Sequence, residues 1–140
     1  MAFSFGKIKI MRKDKGFTLA ELLIVVAIIA ILVAISIPAF ANQLHKAKVT
    51  TDMSNVRSYY SNLQYDFIQT EIYDESKENE FGKPGLTSFE IDGNTIDLIA
   101  GYLWIAPEYN DNTVTNKKII GYNLLYSCKD GDHILKLPED

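Results

Sequence analysis

Glu21 is the first residue that demands a chemical explanation. It is a carboxylate inside Phe17–Ala41, where 21 of 25 residues are apolar. A charged side chain within a membrane helix costs about 2.5–3.5 kcal/mol on insertion scales unless it is paired or near the interface. Its chemistry is therefore that of an anion in need of a cation, or of a helix N-terminus whose dipole favours negative charge. Just ahead of it the chain reads Lys15-Gly16-Phe17-Thr18-Leu19-Ala20, with glycine immediately before the first large apolar residue. Pro38 is the second irregular residue of the stretch, because a proline inside a helix removes a backbone hydrogen bond and bends it.

The other candidates are few. Cys128 is the single cysteine, which excludes an intramolecular disulfide and a cysteine-based zinc cluster. With one cysteine, a small apolar core role is the plain reading. His45 and His133 are the two histidines, too few for a histidine-rich metal site. Asp130 and Asp132 sit in an acidic turn, but calcium takes six to eight oxygens and a tight hairpin offering two carboxylates falls short. No metal or cofactor is therefore expected. No nucleophile motif, phosphate-binding glycine loop or histidine–carboxylate spacing stands out, so the chain does not read as an enzyme.

The element that carries Glu21 is a hydrophobic rod. Leu22 to Ile35 is unbroken by any polar residue. As a helix, 25 residues reach roughly 37 Å, enough to cross a hydrocarbon core of about 30 Å. Ala27, Ala30 and Ala34 recur at the spacing that lets membrane helices approach closely. Charge is divided as sharply as hydropathy. Residues 1–16 hold Lys7, Lys9, Arg12, Lys13 and Lys15 against Asp14, a net of +4, and the remainder is −8. The basic flank predicts a cytoplasmic N-terminal side and a domain on the outer side of the membrane. The acidic remainder argues against nucleic acid as a partner, since that affinity comes largely from neutralising phosphates.

About a hundred residues follow the rod, enough for one small core. Met53, Val56, Tyr60, Leu63 and Phe67 form an amphipathic stripe, with Lys46, Lys48, Asp52, Arg57 and Asp66 mainly off it. One helix from Phe17 to about Thr70, bent near Pro38, is the economical reading, its second half (42–70) lying against a sheet. Residues 73–87 read as a charged loop. Phe89 and Ile91, then Asp92-Gly93, then Ile96 and Leu98 predict a hairpin. Gly101–Ala106 reads as a strand with Trp104 in the core, and Ala106–Lys118 as a polar loop. Ile120, Tyr122, Leu124, Tyr126 and Cys128 alternate as a half-buried strand, which turns at Asp130-Gly131 into Ile134–Leu137. The expected fold is α+β: a long helix packed on an antiparallel sheet of three to four strands spanning 88–137.

The string Lys15 to Glu21, the aliphatic run behind it and Ile37-Pro38-Ala39-Phe40 closely resemble the N-terminus of type IV pilins and their pseudopilin relatives. The resemblance covers roughly the first 50 residues. It implies the same fold, and a leader (1–16) removed by a prepilin peptidase that cuts between Gly16 and Phe17 and methylates Phe17. It further implies that Glu21 serves subunit assembly, that residues 17–41 form the membrane and filament-core helix, and that 42–140 form the head. The implied partners are the peptidase/N-methyltransferase, an assembly-platform membrane protein, membrane lipid before assembly, and other copies of the chain in a helical filament at the cell surface. Many pilins clamp the C-terminal region with a disulfide, which one cysteine cannot form. Some pseudopilins carry calcium there, which leaves the Asp130–Asp132 turn open to that reading.

The resemblance leaves a pilus subunit and a pseudopilin of a secretion or DNA-uptake system both open, and two further alternatives remain. Ala39-Phe40-Ala41 is a small-x-small site of the kind that ends a secretory signal, although its apolar region is longer than the usual 7–15 residues. A secreted or membrane-tethered binding domain would follow from it. Starting at Met11 instead of Met1 gives a shorter basic leader and the same mature chain.

Overall fold

The computed structural model describes residues 16–110 and 117–139. The basic leader, except Gly16, and much of the loop expected at 106–118 lie outside them. The chain divides into two compact units between Phe40 and Ala41.

One helix, α1 (Leu19–Thr70), contributes to both units and continues through Pro38. Up to Phe40 its apolar side chains are exposed, from Leu19 and Leu22 to Ile37 and Phe40. The polar side chains of this stretch are satisfied locally. Ser36 Oγ, for example, donates to the Leu32 carbonyl at 2.7 Å, the intrahelical bond that lets serine sit among apolar neighbours.

In the second unit α1 buries Val49, Asp52, Val56, Tyr59 and Leu63, again at alternating three- and four-residue spacing. The expected stripe is thus rotated slightly. Val56 and Leu63 lie at its centre, whereas Met53, Tyr60 and Phe67 flank the core half-buried. Asp52, placed off the face by its charge, is fully buried instead. The helix ends at Glu71, whose φ of 54° is left-handed and whose N–H donates to the Phe67 carbonyl at 2.7 Å. Glycine is the usual residue for this closing conformation.

The α+β arrangement is as expected, with its strands divided between two antiparallel sheets. Strands β1 (Ser88–Ile91) and β2 (Asn94–Asp97) form the first, with Phe89 opposite Ile96. Asp92 (φ 49°) and Gly93 (φ 78°) turn the hairpin, and two consecutive positive φ angles are what a right-twisted two-residue turn requires. The second sheet has the order β3-β4-β5, formed by β3 (Gly101–Tyr109), β4 (Ile119–Cys128) and β5 (Ile134–Leu137). Leu103 lies opposite Tyr126, and Leu124 opposite Leu137, so inward residues of all three strands share one face. That face and α1 enclose the core, with the Tyr59 and Phe89 rings stacked at 4.4 Å.

Trp104 is not a core residue. The period of two that turns Leu103 and Ile105 inward places Trp104 on the opposite face of β3. There its indole N–H donates to the Lys83 carbonyl at 2.9 Å, and Phe81 packs edge-on against it. Residues 73–87 are tied down more than a charged loop need be. Asn79 exchanges two backbone hydrogen bonds with Ile105, and Leu86 two with Leu103. These bonds occupy part of the free edge of β3.

Candidate functional site

Three arrangements of polar side chains merit description: the start of α1, a buried carboxylate, and a cluster at the β4–β5 turn.

At the start of α1, Thr18-Leu19-Ala20-Glu21 forms a capping box. Thr18 Oγ1 accepts from the Glu21 N–H at 3.2 Å. Glu21 Oε2 accepts in return from the Thr18 N–H at 2.8 Å and from its hydroxyl at 2.9 Å. Glu21 therefore has partners within its own turn. The Thr-x-x-Glu spacing announces this bond pattern in the sequence. Gly16, Phe17 and Thr18 precede the helix in irregular chain, and Phe17 is 91% exposed. Gly16, Phe17, Thr18 and Glu21 line an open depression.

Asp52 is the residue that sequence reasoning missed. Its Oδ1 accepts from the Ile99 N–H at 2.9 Å, and its Oδ2 accepts from the Ala100 N–H at 2.7 Å and the Tyr126 hydroxyl at 3.0 Å. One carboxylate thereby joins α1 to the β2–β3 connection and to the middle of β4. Burial, reinforced by the bond to Asp52, pushes the Tyr126 phenol well above the ordinary tyrosine value, so it remains a neutral donor. Gly101 makes room for this. A Cβ there would collide with the Tyr126 ring and lie 2.6 Å from the Ser127 carbonyl. No alternation pattern signals a buried aspartate, because its partners are backbone groups 47 and 48 residues away.

The third arrangement gathers the two histidines and the cysteine. His45 of α1, Cys128 at the end of β4 and His133 just before β5 each offer a ligand-type atom, and these lie within 4.8 Å of one another. Cys128 is buried, as expected of an apolar residue, but it also lies against both histidines. Asp130 Oδ2 approaches His45 Nε2 to 3.5 Å, whereas Asp132 stays exposed on the turn.

Residues 11–37 match the family model of the prokaryotic N-terminal methylation motif. A fimbrial protein of Moraxella nonliquefaciens is 31% identical over 120 residues, covering 78% of this chain and 75% of that protein. The chain belongs to the type IV pilin family. The type IV major fimbrial protein FimA of Dichelobacter nodosus is 38% identical over 80 residues, 54% of this chain and 50% of FimA. The prepilin peptidase-dependent protein D of Escherichia coli is 60% identical over 40 residues, 29% of this chain and 27% of that protein. The pilin thus spans from about a quarter to three quarters of these relatives, and the identity is highest where the match is shortest. No solved structure matches the chain.

Proposed function

We propose that this pilin-family chain is a prepilin: a structural subunit, without catalytic role, that a prepilin peptidase matures and that polymerises through its N-terminal helix. The observation that carries the reading is the rod. From Leu19 to Phe40 the helix presents large apolar side chains that nothing among the described residues covers, each about half exposed or more. Such a surface needs lipid or other copies of itself. The membrane holds the rod before assembly, and neighbouring rods replace the lipid in the filament.

The two named chemical steps fit the helix start. Proteolysis between Gly16 and Phe17 would act on exposed chain outside the helix, whereas Ala39-Phe40-Ala41 lies within hydrogen-bonded helix. That contrast favours cleavage at Gly16 over a secretory cut after Ala41. Cleavage removes the basic leader and leaves a cationic amine on Phe17, the target of N-methylation and one residue from the Thr18 N–H that Glu21 accepts. Glu21 is then poised between its own capping box and the amine of an incoming subunit, and its role is to register the rods during assembly. Pro38 serves as the flexure between the rod (17–41) and the head (42–140), because it deprives the Ala34 carbonyl of its helical donor. The assembly platform, the membrane and other copies of the chain are the proposed partners, and the surface filament the proposed destination.

Mass spectrometry of the N-terminal peptide from membrane and sheared-surface fractions tests this. A peptide beginning at methylated Phe17 in both fractions is the expected result. One beginning at Asn42 would establish a secreted head and withdraw the role of Glu21. In parallel, Glu21→Ala is expected to be inserted and cleaved normally but to build few filaments, and abundant normal filaments from this variant would refute its assembly role.

A further inference from the structure

We propose that His45, Cys128 and His133 form a binding site for a divalent transition metal of zinc's class, which staples α1 to the β4–β5 hairpin.

The fold assembles the donor set from distant parts of the chain. His45 comes from the helix, Cys128 from the last position of β4, and His133 from the end of the turn that follows. The hairpin sets the last two side by side: the Cys128 N–H donates to the His133 carbonyl at 3.0 Å, and the Gly131 N–H to the Cys128 carbonyl at 3.0 Å. Gly131, at φ 74°, allows the tight reversal between them.

A second observation points to a ligand. His45 Nε2 and His133 Nδ1 are both buried atoms, and among the described residues neither has a hydrogen-bond partner, the Asp130 carboxylate at 3.5 Å being an ion-pair neighbour of His45 Nε2. Buried polar atoms in folded proteins are nearly always satisfied, and one left over calls for a bound species. One nitrogen of each imidazole and the Cys128 sulfur lie within 4.8 Å of one another, and these are the donors that a borderline-soft metal prefers. The Cys128 sulfur already accepts the His133 N–H at 3.3 Å, the kind of supporting bond that accompanies a metal-bound thiolate.

The geometry is near closure. Tetrahedral zinc holds its nitrogen and sulfur ligands roughly 3.5 Å apart, and the three donors here fall within 4.8 Å, a gap that small side-chain rotations remove. Asp130, whose carboxylate already stands 3.5 Å from His45 Nε2, is placed to supply the fourth ligand, with water as the other choice. The donor set of two nitrogens and one sulfur is wrong for calcium, which takes oxygen. A filled site would cross-link positions 45, 128 and 133 in a chain whose single cysteine allows no internal disulfide.

The test uses the full-length chain in detergent, without a histidine tag, stripped of metal by a chelator. Cobalt(II) is the probe, because a thiolate ligand gives it a near-ultraviolet charge-transfer band. Expected are one cobalt per chain with that band, its displacement by zinc, and a higher melting temperature in zinc, read from the fluorescence of Trp104. Cys128→Ser should abolish the band, and His45→Gln and His133→Gln should each weaken binding by about tenfold or more. His45 is about one-third exposed on the helix surface, so His45→Gln is expected to melt as the parent does without metal. Absence of the thiolate band, or a zinc-induced shift that His45→Gln leaves intact, would overturn the site.

Discussion

The two halves of α1 obey opposite rules. Before Phe40 its leucines, isoleucines and valines face outward, and its one carboxylate, Glu21, is bonded to the turn that bears it. After Ala41 a stripe of Val49, Val56, Tyr59 and Leu63 faces inward, and a carboxylate, Asp52, is fully buried and bonded to backbone far away in the chain. The first half satisfies its polar groups within the helix and is incomplete as a surface. The second half depends on tertiary contacts and is complete. A helix built this way fits the proposed subunit, whose head stays folded while its rod exchanges lipid for neighbouring rods.

Substitutions should separate the halves. Asp52→Ala strands three donors, the part-buried Ile99 N–H and the buried Ala100 N–H and Tyr126 hydroxyl, and is expected to cost the head about 4 kcal/mol. That is enough to lower its melting by roughly 10 °C or more, followed through Trp104 fluorescence. Leu103→Ala, at a fully buried position of β3, is expected to cost about 3 kcal/mol, while Leu32→Ala in the rod leaves head melting unchanged. Equal effects from the two leucine changes would erase the distinction between the units.

Alkaline pH tests the head in another way. Burial, and then the nearby Tyr122 and Asp74, push the Tyr59 phenol up to about 12. Burial raises Tyr122 and Tyr126 as well. A tyrosine raised above its unfolded value of about 10 contributes stability that is full below pH 10 and is lost as pH climbs through the folded value. Denaturant midpoints of the head should therefore fall from about pH 10 upward, whereas far-ultraviolet helix signal from the rod persists.

Two smaller effects concern the helix ends. Thr18→Ala removes half of the capping box and is expected to cost about 1 kcal/mol, seen as faster amide exchange in the first turn and no change in the head. Glu71→Gly relieves a left-handed residue other than glycine at the C-terminal end and should stabilise the head by about 1 kcal/mol.

What was legible in the sequence is what local chemistry dictates. An unbroken run from Leu22 to Ile35 can only be a rod, Asp92-Gly93 between alternating residues can only turn back, and the Tyr122–Cys128 alternation declares which side of β4 is inward. The string from Lys15 to Glu21 carried the family, and the Thr-x-x-Glu cap lay within it. Three features needed the tertiary structure. Trp104 faces outward because strand parity, not ring size, sets its side. Asp52 is buried because backbone N–H groups 47 and 48 residues away satisfy its charge. His45, Cys128 and His133 lie up to 88 positions apart, and only the packing of α1 against the β4–β5 turn makes neighbours of them. Periodicity and propensity act over a few residues, so they specify a rod, a turn or a strand; a site whose partners come from distant segments exists only once the chain has closed.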